Sequence, residues 1–312
     1  MIRFFLFVIF ITVSNLLSAQ LNWVKVDSLF GPLPASMHIY KTTDLLDGKP
    51  NIAYYVIADL KDKHLIFDVD TTFKRRLKPS EFYERNSKAL LVVNTTFFSF
   101  ATNQNLNVVI DEGKMVGYNI HSIPGRGKDT FTFRHTYGSA IGISFKRKAD
   151  VAWLYSDSAS KRPIALQMPV APIKDSNNYF RPVEKKNEWK METAVGGGPV
   201  LVQNGEIKIA NNEELKFAGK AIDDKHPRTA MGYTKDNKLI ILVIEGRNAG
   251  NAEGASLTQE ARMLKEIGCI EALNLDGGGS SCMLVNGKAT IKVSDPTGQR
   301  PVPAVFLIRS RN

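Results

Sequence analysis

The sequence predicts an α+β fold, an extensive mixed, largely antiparallel sheet with few helices. Three observations carry this expectation: strand-like apolar runs follow one another at short spacing, several are joined by tight-turn dipeptides, and one segment alone has a full set of helix signals. The runs are Ala53–Ala58, His64–Val69, Leu90–Asn94, Leu106–Ile110, Ala140–Phe145, Val151–Tyr155, Ala194–Val195, Val200–Gln203, Ala230–Tyr233, Leu239–Glu245, Ile270–Leu275, Met283–Val285 and Ala304–Arg309. Asn204-Gly205 and Asn286-Gly287 sit between apolar stretches, the strongest short hairpin signal, and Asp236-Asn237 reads the same way. The helix is Leu257–Ile267. Ser256 and Gln259 form a capping box, Leu257, Ala261, Leu264 and Ile267 share a face, and Gly268 marks the stop. A shorter helix is expected from Glu81 to Arg85, capped by Ser80. Residues 21–50 read as irregular, and residues 156–190, proline-rich and polar, as a long surface excursion.

The chain has 312 residues, 43% hydrophobic and 23% charged, enough apolar content for a sizeable core. Two cysteines exclude a disulfide-rich scaffold and a cysteine-built zinc site. The net charge of +10 comes from scattered residues. The densest groups, Lys61/Lys63, Lys74/Arg75/Arg76, Lys146/Arg147/Lys148 and Lys185/Lys186, are shorter than a nucleic-acid patch and read as solvated loops and edges, so no nucleic-acid partner is expected.

Residues 1–20 have the layout of a signal peptide: Arg3, an apolar run from Phe4 to Val13, then small and polar residues ending Ser18-Ala19-Gln20. The run is short for a membrane span. Export with cleavage is therefore expected, giving a periplasmic or secreted protein with no stable membrane insertion. Cys269 and Cys282 fit buried apolar positions and are expected as free thiols. The domain reading is residues 1–20 as signal peptide, 21–87 as a strand-rich segment packed on the main domain, and 88–312 as the main domain.

Five segments can carry chemistry. In the first, Asn274, Leu275 and Asp276 lead into Gly277, Gly278, Gly279, Ser280 and Ser281. A strand ends in a carboxylate, three residues without Cβ let backbone approach a ligand, and their N–H groups can converge on an anion. The Gly-Lys-Ser/Thr ending of a nucleotide loop is missing. The second is His226-Pro227-Arg228-Thr229, where Arg228 offers a planar fork for phosphate or carboxylate. The third is Glu245-Gly246-Arg247 at the end of an apolar run. If the strands ending in Glu245 and Asp276 are parallel neighbours, two carboxylates and two guanidinium groups converge. The fourth, Asn94 to Phe98, puts an amide at a strand end beside Phe97, suited to a sugar hydroxyl and an apolar wall. The fifth is the bend Gly196-Gly197-Gly198-Pro199.

In this order the five segments resemble the phosphodiester glycosidase family over roughly residues 88–310. The resemblance implies hydrolysis of a sugar-1-phosphodiester, of the N-acetylglucosamine-1-phosphodiester kind, at the anomeric C–O bond, on envelope or extracellular glycans. Thr95-Thr96 replace a glycine pair of the family pattern, and Glu245 stands where the family more often has Asp. The leaving phosphomonoester has a second pKa of about 6 and needs little acid catalysis. Charge stabilisation falls to Arg228, Arg247 and the Gly277–Gly279 amides, and Asp276 and Glu245 are the candidate nucleophile and base. His226 is a candidate to orient phosphate or donate a proton. Asn94, Phe97, Gly197, Gly198, Thr229, Asn274, Ser280 and Ser281 are candidates to line the substrate site. No cofactor is expected: acidic residues beside glycine loops can hold calcium, but no EF-hand loop or His/Cys ligand spacing is present. The competing reading is a non-catalytic module that binds anionic polysaccharide. Oligomeric state, sugar and aglycone stay open.

Overall fold

In a computed structural model the described residues are 20–87, 89–180 and 187–311. Residues 1–19 of the signal-peptide reading and Lys185/Lys186 lie outside them. The chain is built from sheets in which every strand pairing between named strands is antiparallel. The largest has eight strands, in the order Val24–Lys25, Met37–Thr42, Ala53–Asp59, Lys238–Ile244, Arg228–Thr234, Cys269–Asn274, Val200–Gln203 and Glu206–Ile207. A six-stranded sheet is centred on Gly138–Ile143 and Thr193–Gly196, and a five-stranded sheet on Leu91–Asn94 and Ala304–Ser310. A small three-stranded sheet completes the set.

The main core lies between the sheets. It draws Ile39, Val56, Ile241 and Leu273 from the eight-stranded sheet, Ile141 and Val195 from the six-stranded one, and Val93, Phe306 and Ile308 from the five-stranded one. Helix Leu257–Ile267 covers the opposite face of the large sheet. Its Leu257, Ala261 and Leu264 are fully buried against Ala230, Ile240 and Leu242. Burial of each of the two leucines stabilises the fold by about 1.5–3 kcal/mol. The helix is capped as its sequence requires: Ser256 Oγ accepts from the Gln259 N–H, Gln259 accepts from the Ser256 N–H, and Gly268 takes a left-handed conformation at φ 101°.

The hairpin dipeptides turn as expected. Asn204 and Gly205 have φ of 53° and 76°, and Asn286 and Gly287 47° and 77°, the pair of positive values that a two-residue turn between twisted strands needs. Four expectations are corrected. The sheet is antiparallel rather than mixed. Strands Lys238–Ile244 and Cys269–Asn274 do run the same way, but Arg228–Thr234 lies between them and pairs with both. The first helix is Pro79–Arg85: Pro79 supplies the preset φ of a first helical residue, Glu81 accepts from the Lys78 N–H, and Ser80 is inside the helix rather than its cap. Residues 21–50, read as irregular, contain the strand Met37–Thr42, which pairs along its length with Ala53–Asp59. The surface excursion of residues 156–190 carries two short strands, Ile164–Leu166 and Ile173–Asp175. Residues 21–87 are woven into the two larger sheets: Ala53–Asp59 pairs with Lys238–Ile244, and Leu65–Thr71 with Ala304–Ser310.

Both cysteines are buried free thiols, and burial pushes their pKa up, that of Cys282 to about 12. Among the described residues no helix is long and apolar enough to cross a membrane.

Candidate active site

The antiparallel order gathers the functional segments at one end of the large sheet. Arg228 begins its strand opposite Ile244, and Ala230 lies opposite Asn274. The entry to the central strand and the exits of both its neighbours therefore meet there, bringing His226 and Arg228, Glu245 and Arg247, and Asp276 with the glycine turn to one edge. Strand Leu91–Asn94 reaches the same place from the five-stranded sheet, because the Asp276 N–H donates to Thr95 O at 2.8 Å.

Beneath the edge is a closed polar lattice. Asn94 Nδ2 donates to Asp276 O at 2.6 Å, and its Oδ1 accepts from Thr229 Oγ1 and from the Cys282 N–H, each at 3.0 Å. Thr229 Oγ1 also lies 3.2 Å from Ser281 Oγ. Asn94, Thr229 and Ser281 are fully buried, as buried polar groups with satisfied partners can be. Asn274 Nδ2 donates to Gly198 O at 2.8 Å and clamps the second glycine bend to the first. These side chains hold the edge together and present no polar atom to solvent. Thr95 and Thr96 belong to the same lattice. Their hydroxyls donate to Ala304 O and Asn105 Oδ1, a use that glycine could not supply.

Above the lattice lies the charged face. A Cβ on Gly279 would collide with the Arg300 guanidinium, and one on Gly278 would stand 3.1 Å from Arg247 Nη2. Two arginines thus rest directly on the glycine turn. Arg300 is fixed by Asp295, which accepts from its Nε at 2.7 Å. Arg228 lies underneath: buried, donating from Nε to Ala255 O and from Nη2 to Asp224 O, with its Cδ 3.9 Å from the position a Gly277 Cβ would take. Burial lowers its pKa, and the fully buried Glu260 carboxylate opposes that. Asp276, partly exposed, has its pKa pushed up to about 7. Burial is the largest cause, and the Ser280 hydroxyl, Arg300 and the Gly277 N–H resist it. A carboxyl poised near neutrality in a cationic setting is a candidate catalytic group.

Three expectations change in detail. Glu245 does not share a partner with Asp276: its Oε1 accepts from Asn248 Nδ2 at 2.8 Å and its Oε2 from the Lys292 N–H at 2.9 Å, so both oxygens brace loops. The glycine amides are partly committed, that of Gly278 to Pro227 O and that of Gly277 to the Asp276 carboxylate. His226 Nδ1 lies 3.2 Å from Arg247 Nη2; since arginine can only donate, the ring accepts there. Burial, then Arg228 and Arg247, lowers the His226 pKa. The ring holds Arg247 in place, and its lowered pKa disfavours the charged form that would donate a proton.

A cavity of about 530 Å³ has walls that include Phe97, Asn107, Asn119, Glu214 and Lys216. Gly197 and Gly198 do not line it; Gly198 lies behind the wall, against Glu214 and Lys216. Asp276 does not line the cavity either. Residues 95–97 connect the two, since Thr95 holds the Asp276 amide and Phe97 forms the cavity wall. Phe217 packs edge-on to Phe97, with ring centroids 6.2 Å apart, and the Arg228 guanidinium lies 5.9 Å from the Phe217 ring. Glu214 is buried, accepting from the Val200 N–H at 2.8 Å, Trp153 Nε1 at 3.0 Å and Ser139 Oγ at 2.7 Å. Burial raises its pKa and lowers that of Lys216, and each charge resists the shift of the other. Lys216 lies over the Phe97 ring at 5.4 Å.

Sequence reasoning missed Glu214, Lys216 and Arg300. The residue between the first two, Leu215, has φ of 54°, strain for a bulky side chain and common at functional bends, but nothing in the sequence marks it. Arg300 follows Gly298-Gln299, a turn signal that gives it no partner in advance. Among the described residues no group of three or more His, Cys, Asp or Glu side chains is placed to hold a metal ion.

The fold is sheet-rich, with a carboxylate and arginines gathered around a glycine turn, and comparison with known proteins gives the family. The sequence profile of the phosphodiester glycosidase family matches residues 87–309, and the chain belongs to that family. Among curated proteins it is 28% identical over 103 residues to the mouse N-acetylglucosamine-1-phosphodiester alpha-N-acetylglucosaminidase, and 41% identical over 71 residues to the Bacillus subtilis SPbeta prophage-derived protein YomE. These matches cover 30% and 23% of this chain, and only 20% and 11% of the relatives. Among solved structures, the zebrafish N-acetylglucosamine-1-phosphodiester alpha-N-acetylglucosaminidase catalytic domain, auto-inhibited by its pro-peptide, superposes with TM-score 0.60 at 22% identity, over 88% of this chain and 82% of that one. A putative exported protein from Burkholderia pseudomallei superposes with TM-score 0.61 at 16% identity, over 83% and 74%. At these identities the likeness is one of fold.

Proposed function

We propose that the protein is a hydrolase that cleaves a sugar-1-phosphodiester at the anomeric C–O bond, acting on envelope or extracellular glycans after export. The observation that carries this reading is the pair of arginines, Arg247 and Arg300, resting on the glycine turn beside an Asp276 whose pKa is near 7. Two forks over a turn with no Cβ form a cradle for a phosphate. There they offset the charge that builds on the departing phosphomonoester. Ionised Asp276 attacks the anomeric carbon or activates water. The reacting anomeric carbon lies at Asp276, and the neighbouring cavity with Phe97 and Lys216, reached along residues 95–97, receives the adjoining part of the substrate. Family membership and the named activity of the mammalian relatives support the same reading.

Glu245 is not part of the reacting pair in this mechanism, because its oxygens are occupied. That occupancy favours one alternative, a module that keeps the cradle and binds anionic polysaccharide without turnover. Hydrolysis of sugar-1-phosphodiesters by the purified mature chain in heavy-oxygen water separates the readings. Label in the sugar hydroxyl is expected. Label in phosphate would refute C–O cleavage, and no release from any diester would leave the binding module.

A further inference from the structure

We propose that a track of cations and aromatic rings leading away from the glycine turn binds a polyanionic glycan, so that the substrate is a polymer of sugar phosphodiesters rather than a small free diester. The inference rests on the reading of the Asp276 turn as a phosphodiester site. It starts from the Lys74-Arg75-Arg76 cluster, which the sequence alone offers as an ordinary solvated loop.

The track begins at Arg300, whose guanidinium lies on Gly279 and 5.5 Å from the centre of the Phe100 ring. Phe100 is 63% exposed and tilted against Phe98 at 4.8 Å. Arg76 caps the pair, 5.3 Å from Phe98 and 5.1 Å from Phe100. Beyond it Lys74 stands 5.1 Å over Phe73, which is 80% exposed. Phe73 and Lys74 form part of the wall of a second cavity, of about 490 Å³, together with Gln104, Asn105 and Tyr118. Asn119 and Ile120 belong to the walls of both cavities, so the two adjoin along that segment.

Two features say what covers this surface. The first is charge. Among the described residues neither Lys74 nor Arg76 makes an ion pair; each is partnered by a ring instead. The acids on the adjoining strand, Asp68 and Asp70, are already held by Arg309 and Arg85. Unpaired cations beside a phosphate cradle favour further anions. The second is the exposed rings. A phenylalanine left mostly in water, beside the exposed Gln104 amide in a cavity wall, suits a ligand with both apolar faces and hydroxyls, as a sugar has. Alternation of the two features matches a chain that alternates sugar and phosphate. A neutral glycan leaves the cations unused, and a bare polyanion leaves the rings unused.

The test measures binding and turnover by the mature full chain with four probes: an oligomer of glycosyl-1-phosphate repeats, the matching single diester, a neutral oligosaccharide of equal length and inorganic polyphosphate of equal charge. The sugar-phosphate oligomer is expected to bind about tenfold more tightly than either the neutral chain or polyphosphate, and binding is expected to weaken with salt. In Phe73→Ala/Lys74→Ala, both positions exposed, the ratio of oligomer to single-diester kcat/KM should fall about tenfold. Equal binding of polyphosphate or of the neutral chain would overturn the proposal, and so would an unchanged ratio in the double variant. Failure to hydrolyse any probe would refute the hydrolase instead, and the binding comparison would still decide the track.

Discussion

Two glycine triplets look alike in the sequence and do opposite work. At Gly278 and Gly279 the missing side chains leave room for arginine heads that arrive from elsewhere and remain near solvent, while Gly277 lets the Pro227 carbonyl approach. At Gly198 the missing side chain is replaced by the buried Glu214 carboxylate, the Lys216 stem and Ser139 Oγ, and φ is 117°. One triplet yields an open, reorganisable charged face. The other is a packed junction pinned by three hydrogen bonds to Glu214. A run of glycines therefore reports close approach, and the approaching group decides whether the place is chemical or structural.

The largest expected effect lies on the open side. Asp276→Asn should lower turnover by about a thousandfold or more, the scale of removing a positioned acid or base. Circular dichroism should show the fold intact, and retained binding would separate lost chemistry from a lost site. Loss of the fold in this variant would place Asp276 in the lattice beneath rather than on the charged face.

Glycine replacements test the comparison itself. Gly198→Ala adds a Cβ against a carboxylate that cannot yield and imposes a left-handed backbone on alanine. A stability loss of about 3 kcal/mol or more is expected by denaturant titration. In Gly279→Ala the nearest obstacle is the end of the Arg300 side chain, which can shift at the cost of its bond to Asp295. The midpoint should move little, and KM for a phosphodiester should rise about tenfold as Arg300 is displaced. The reverse pattern would exchange the roles of the two triplets.

The pH dependence sharpens the same contrast. In the proposed mechanism ionised Asp276 is the reactive form, so activity should climb through pH about 7. Arg300→Ala removes a cation that favours ionisation and should move that limb to higher pH. Stability follows the opposite course. The folded-state pKa is above the unfolded value of about 3.9, so the folded chain holds the proton more tightly. This contribution is full below that value and is lost as pH rises to about 7. Glu260, pushed up to about 8 by burial, adds a slope of the same sign. Urea titrations across this range should show Asp276→Asn losing part of the slope and keeping the part due to Glu260.

Much of the frame was legible because it depends on local rules. Hairpin dipeptides, the capped helix Leu257–Ile267 and the apolar runs each state their conformation within a few residues. The glycine turn, Asp276 and Arg247 were legible for the same reason. Strand Met37–Thr42 was not, because an edge-side strand with His38, Tyr40 and Lys41 on its less buried positions lacks a continuous apolar run. Arg300, Glu214 and Lys216 were not, because their meaning comes from segments far away in the chain. Strand order was the third gap. The sequence shows two apolar runs ending in acids, but only the pairing reveals Arg228–Thr234 between them, and with it the separation of Glu245 from Asp276.

That separation gives the smallest and most discriminating expectation. Glu245 is buried and accepts hydrogen bonds at both oxygens, one from the side chain of Asn248 and one from the Lys292 backbone. In Glu245→Gln one oxygen becomes an NH₂ group facing a donor, and the Asn248 amide can turn over to accept from it, whereas the Lys292 N–H cannot. The variant should settle with its oxygen towards Lys292 and lose about 1 kcal/mol of stability. Turnover should stay within about threefold of the parent, since Glu245 touches neither the cradle nor Asp276 and acts only by bracing loops. A thousandfold loss of kcat with an unchanged midpoint would instead return Glu245 to the reacting pair, and the chemistry would then need two carboxylates at this edge rather than one.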